Sequence, residues 1–217
     1  MDISGIESMI ADTCGNEHTA DDLQELLSIV AERLNASPAE SDLDNGARFV
    51  LGYIEQVPYM LKVAITAAAN VGLESEMAHI LYTVTQYWEQ DEDIIPDHLG
   101  IIGLLDDAYC SLTTLQAFSD HYRLQTGKHM FPDDLSAANS MMRQIIGEPY
   151  AGQLDQFVAD TIGEADIMNA VRAMASEDKQ IHLAARANIW NHGPAGEMPV
   201  DQLAGLGLTA APRTPDA

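Results

Sequence analysis

Positive charge is what this sequence has least of: ten Lys and Arg stand against thirty-four Asp and Glu, a formal net charge of -24 over 217 residues. Neutralising phosphates or anionic lipid headgroups takes clustered Lys and Arg, so direct nucleic-acid binding is excluded as a function class. Cysteine is nearly absent. Cys14 and Cys110 lie far apart and in no CxxC or Cys/His ligand spacing, which leaves no disulfide framework and fits a reduced, cytoplasmic setting. Long apolar runs are missing too. The longest, residues 57–71, contains Lys62 and Asn70 and falls short of the roughly twenty apolar residues that span a bilayer; it is expected as a buried core helix, with no transmembrane insertion. Asp2 and Glu7 occupy positions where a presequence would carry positive charge, so no export signal is expected. GxSxG, Walker, HExxH and GxGxxG patterns are absent, and no cofactor is expected from motif evidence.

What the sequence does have is apolar content, 47%, distributed with spacings of three and four. That period predicts an all-α protein, a compact bundle of roughly seven to nine helices. Thr19 with Asp22 fits a capping box ahead of a stripe of Leu23, Leu26, Leu27, Val30 and Leu34, and Ser41 with Asp44 opens a second helix whose face is weakened by Gly46 and Gly52. Pro58 suits the first turn of the Ala-rich helix that stops at Gly72. Met77, Ile80, Leu81, Val84 and Trp88 share one face of the next helix, and Leu105, Ala108, Leu112, Leu115, Phe118 and Tyr122 mark a long one ending at Gly127. Further helices are expected from Phe131 to Gly147, over 150–162 and over 164–190. The organisation read from this is N-terminal helices over 1–57, a core over 58–127, C-terminal helices packed on it over 128–192, and a Gly-, Pro- and Ala-rich flexible tail over 193–217.

The negative charge is unevenly spread. Residues 1–125 hold four basic residues among twenty-two acids, a net of -18, and the remainder carries -6. An acidic face on the first half serves solubility; it is equally a surface open to divalent cations or to a basic partner protein.

Residues 87–108 read YWEQDEDIIPDHLGIIGLLDDA. Tyr87 ends one helix; Asp93, Ile95, Pro96 and Asp97 form a Pro-fixed turn; Gly103, Asp106, Asp107 and Ala108 open the next helix. This arrangement resembles the signature of the YkvA-like family of uncharacterised bacterial proteins, over about residues 74–118. The resemblance implies a helix, loop, helix unit of unknown activity and carries no catalytic assignment. Two departures stand out: Asp91 occupies a place where the family usually has Pro, and relatives look membrane-associated, whereas this chain lacks the apolar length for that.

The motif has two physical readings. In the structural one, Asp106 and Asp107 accept first-turn backbone N–H bonds, worth about 0.5–2 kcal/mol for a good cap, and Asp93 and Asp97 bracket the turn. In the chemical one, Asp93, Asp97, Asp106 and Asp107 converge on an oxygen-rich site for Mg, Mn or Ca, with His98 as a neighbouring acid or base. His79 is expected to be a partly buried, hydrogen-bonded residue, and Met141, Met142, Met168 and Met174 to be helical core or, alternatively, an adaptable protein-binding groove. Three functions follow in order: a non-enzymatic interaction or regulatory module for a partner with a basic or helical surface, a divalent-metal-dependent hydrolase on the Asp cluster, and an acidic nucleic-acid mimic that inhibits a basic partner. Oligomeric state is not legible.

Overall fold

Isoleucines 3, 6 and 10, spaced by three and four, bury one face of an N-terminal helix, α1 (Ser4–Cys14), which is additional to those expected from the sequence. The structure is a computed structural model and describes residues 2–90, 94–131, 134–166, 169 and 200–209. The helices that follow are α2 (Thr19–Arg33), α3 (Glu40–Glu55), α4 (Val57–Val71), α5 (Glu74–Trp88), α6 (Leu105–Thr126), α7 (Ser136–Ile146) and α8 (Tyr150–Glu164), with 3-10 segments at Asp97–Leu104 and Val200–Leu206. The described residues contain no strand. None of their helices is long and apolar enough to cross a membrane.

Helix limits follow local chemistry, not always the expected one. Pro58 lies in the first turn of α4, and Gly72 and Gly127 end α4 and α6 at φ 73° and 70°, a left-handed conformation that costs glycine nothing. The Thr19 and Asp22 capping box does not form; the Thr19 hydroxyl donates instead to the Thr13 carbonyl at 2.8 Å. On α3 the reciprocal bond comes from Asp42, which accepts the Ala39 N–H at 2.9 Å, and not from Asp44. The helix expected from Phe131 begins at Ser136, while Phe131 itself is buried ahead of it. Apart from residues 165, 166 and 169, the expected stretch over 164–190 lies outside the described residues beyond the end of α8.

α6 is the axis of the molecule. It packs against α3, α4, α5, α7 and α8 and is buried on nearly all sides through Ser119, so it carries polar side chains into the core where each requires a partner. Several of these bind backbone of the following loop: Gln116 accepts the Leu135 N–H at 2.8 Å and Ser119 Oγ accepts the Met130 N–H at 3.2 Å. Asn139 of α7 accepts the Tyr53 hydroxyl at 2.7 Å across the core. One apolar cluster, in which Met141 and Met142 take part, runs from Ile3 to Leu208 through all the helical segments.

The flexible tail expected over 193–217 needs correcting where it is described. Residues 200–209 dock: Leu203, Leu206 and Leu208 are buried, and the Gln144 side chain both donates to the Thr209 carbonyl and accepts its N–H. The seat is prepared by Gly46, where a Cβ would collide with the side chains of Leu206 and Leu27. Residues 193–199 and 210–217 lie outside the described residues.

Candidate functional site

The spacing of chemistry along residues 87–108 becomes a spatial junction because α5 and α6 pack together while the intervening chain folds back over the start of α6. Asp106 is fully buried. Its Oδ2 accepts the Tyr87 hydroxyl at 2.9 Å and the Ile95 N–H at 2.9 Å, so one carboxylate ties the end of α5 and the loop to α6. Oδ1 of the same carboxylate is buried and has no hydrogen-bond partner among the described residues. Burial pushes the Asp106 carboxyl up to about 6, against the opposing pull of the Ile95 N–H, the Tyr87 hydroxyl and the N–H groups of Asp106 and Asp107, which favour the charged form. Asp107 is buried beside it. One turn on, Ser111 Oγ accepts Trp88 Nε1–H at 2.9 Å.

Of the residues singled out in the sequence, Tyr87, Ile95 and Asp106 are thus brought together. Pro96, at φ -58°, precedes the 3-10 segment, and Gly103 is buried within it. Asp97 opens that segment, though its side chain is not among those described, and Asp93 lies outside the described residues. Beside the first-turn N–H groups of Asp106 and Asp107, which also act on it, the Asp106 carboxylate reaches across eleven and nineteen positions to Ile95 and Tyr87. His98 is exposed on the 3-10 segment. His79 is exposed as well, correcting the expectation of a partly buried side chain: the apolar stripe of α5 passes through Ile80 and Met77, and position 79 turns outward. Among the described residues, no three His, Cys, Asp or Glu side chains gather as a metal-binding group.

A second polar junction had no motif to announce it. Tyr109, one turn after Asp106, donates to Asp155 Oδ1 at 2.7 Å, and Arg143 Nε binds Asp155 Oδ2 at 2.8 Å while its Nη2 reaches Glu148 at 2.8 Å. Burial and the Asp155 carboxylate raise the Tyr109 phenol above its ordinary value. The Tyr87 ring packs on Phe157 of α8, centroids 4.7 Å apart, so both junctions lie along the α5, α6 and α8 contact. Cys14 is half-buried and its thiol is pushed up to about 11 by burial and by Glu55, which removes it from nucleophilic chemistry at neutral pH.

The acidic surface has a definite composition. Asp2, Asp12, Glu17, Asp21, Glu25, Glu32, Glu40, Asp44 and Glu55 on or beside α1, α2 and α3 are exposed. The two arginines in this region are turned to backbone: Arg33 donates to the carbonyls of Gln144, Ile145 and Ile146 at the end of α7, and Arg48 to Asn45 and the Asp44 carbonyl. Lys62 pairs with Glu7 at 2.6 Å. No family model, curated protein or solved structure matches the chain.

Proposed function

We propose that this chain is a YkvA-like, non-enzymatic interaction or regulatory module whose acidic α1–α3 surface receives a protein partner with a basic or helical face. One observation carries the reading. The two arginines of this region donate to carbonyl oxygens and form no ion pair, so, Glu7 apart, its carboxylates keep their charge for an outside partner. The α2 face bearing Asp21, Glu25 and Glu32 also presents Ile29, 57% exposed, as an apolar centre inside the charged rim. The Asp106 junction fits the same reading as a structural clasp, since its Oδ2 is occupied by Tyr87 and Ile95.

The test compares the wild-type chain with the triple variant Asp21→Asn, Glu25→Gln, Glu32→Gln as immobilised bait in native cell extract. A specific protein retained by wild type at 0.1 M salt, released at 0.5 M and missed by the variant supports the reading. Identical retention by both chains overturns it. The hydrolase reading is favoured by one fact, the unpartnered Oδ1 of buried Asp106, which a cation would satisfy as well as a proton. A melting-temperature gain in millimolar Mg, Mn or Ca that disappears in Asp106→Asn would put it first.

A further inference from the structure

Helices α6 and α8 leave between them a cleft of about 470 Å³, within the size range of small-molecule sites. Its walls are small or apolar, among them Ala117 from α6 and Val158, Ala159 and Ile162 from α8. Gly163 leaves space in its wall: a Cβ there would meet nothing within 4 Å.

The charged groups of the cleft are of one sign, beside the hydroxyl of Thr113 and the ring of His121. His121 Nδ1 lies 2.8 Å from the Ala117 carbonyl; a carbonyl can only accept, so this nitrogen carries the hydrogen and, in the neutral ring, Nε2 is an acceptor. Asp155 and Asp166 also line the cleft, and among the described residues no Lys or Arg does. Asp155 is partly answered by Arg143, so the stronger uncompensated charge is at Asp166, just past the carbonyl end of α8, where the last turn holds no basic residue. An anionic ligand would meet the like charge of Asp155 and Asp166 there, with the Thr113 hydroxyl as a neutral donor.

We propose that the cleft between α6 and α8 is a binding site for a small organic cation, an amine with an apolar body, whose ammonium is received by Asp166 and His121 while Ala117, Val158, Ala159 and Ile162 cover the body. The site is separate from the acidic face of α1–α3 and does not depend on it.

The test uses three probes of one shape on the full chain, 4-phenylbutylammonium, 4-phenylbutanol and 4-phenylbutyrate, titrated by calorimetry and by NMR of the Val158 and Ile162 methyl groups. The expected result is saturable binding of the ammonium, about tenfold or more tighter than the carboxylate, with the alcohol between them. Gly163→Leu, whose Cβ meets nothing within 4 Å, puts a large side chain at the cleft wall and should abolish binding while the melting temperature holds. Asp166→Asn keeps an acceptor for the Asn169 amide and suits the positive φ of 49° at that position; it should reduce the ammonium preference several-fold. Equal binding of ammonium and carboxylate, ammonium binding that survives Gly163→Leu, or saturation by none of the three overturns the proposal.

Discussion

A carboxylate with no exposed surface holds its charge only at a cost, and Asp106 meets that cost with two hydrogen bonds to one oxygen and none to the other among the described residues. Its folded value of about 6 lies above the unfolded value near 3.8, so the native state binds this proton more tightly. The associated stability is fully present below about pH 3.8 and is lost as pH rises through about 6. Asp106→Asn removes that titration and keeps a carbonyl oxygen for Tyr87 and Ile95. The difference between wild-type and Asn-variant melting temperatures, followed from pH 4.5 to 8, should therefore shift in favour of the variant as pH rises; a flat difference would sink the assignment. Subtracting the variant removes the His titrations common to both chains. Asp106→Ala behaves differently, because it strands a buried hydroxyl and a backbone N–H at roughly 1–3 kcal/mol each. The sequence showed Tyr87, Ile95 and Asp106 as a spaced set, since the chain between them is short and Pro96 fixes its turn. It could not show that Asp106 is buried, because an acid two residues into a helix is ordinarily a solvated first-turn acceptor.

At the scale of elements, helices with a long apolar stripe were legible from period alone, as α5 shows through Met77, Ile80, Leu81, Val84 and Trp88. α6 was legible as a helix but not as one buried on nearly all sides through Ser119, since Asp107, Ser111, Thr114 and Gln116 are polar. What failed was brevity. The Val200–Leu206 segment carries its apolar signal on Leu203, Leu206 and Leu208, too few residues to stand out from the Gly and Ala around them. Its partner signal, Gly46, read as a weakness of α3 and is instead the socket for Leu206. The Asp155 and Arg143 pair is missed for another reason: twelve positions apart on different helices, it has no sequence period to betray it. The docked segment makes a prediction opposite to that for a loose tail. Leu206→Ala should cost about 2–5 kcal/mol, lowering the melting temperature on the order of 5–10 °C, and deletion of 200–217 should cost at least as much. Deletion of 210–217 alone serves as the control. An unchanged melting temperature in Leu206→Ala would mean that the segment does not dock in solution.

For the molecule as a whole, the dominant quantity is the net charge of -24 set against very few internal ion pairs. Among the described residues only Lys62 and Arg143 bridge to carboxylates as fixed cations, all with exposed or half-exposed partners, so each pair is worth about 0–1 kcal/mol. Added salt has little attraction to screen and a large self-repulsion to relieve. Screening lengths fall from about 10 Å at 0.1 M to about 3 Å at 1 M, so added salt progressively weakens the mutual repulsion of the α1–α3 carboxylates. Stability should therefore rise with NaCl between 20 mM and 500 mM, by about 1 kcal/mol or more, read as a few degrees in melting temperature. The triple variant Asp21→Asn, Glu25→Gln, Glu32→Gln removes three charges without touching the core, so it should melt higher than wild type at 20 mM NaCl and converge with it at 500 mM. A wild-type melting temperature that stays flat or falls with salt would show that attraction and repulsion already balance within the fold. In that event the carboxylates of α2 would hold little charge energy in reserve, and the case for a basic partner drawn to them would lose its physical basis.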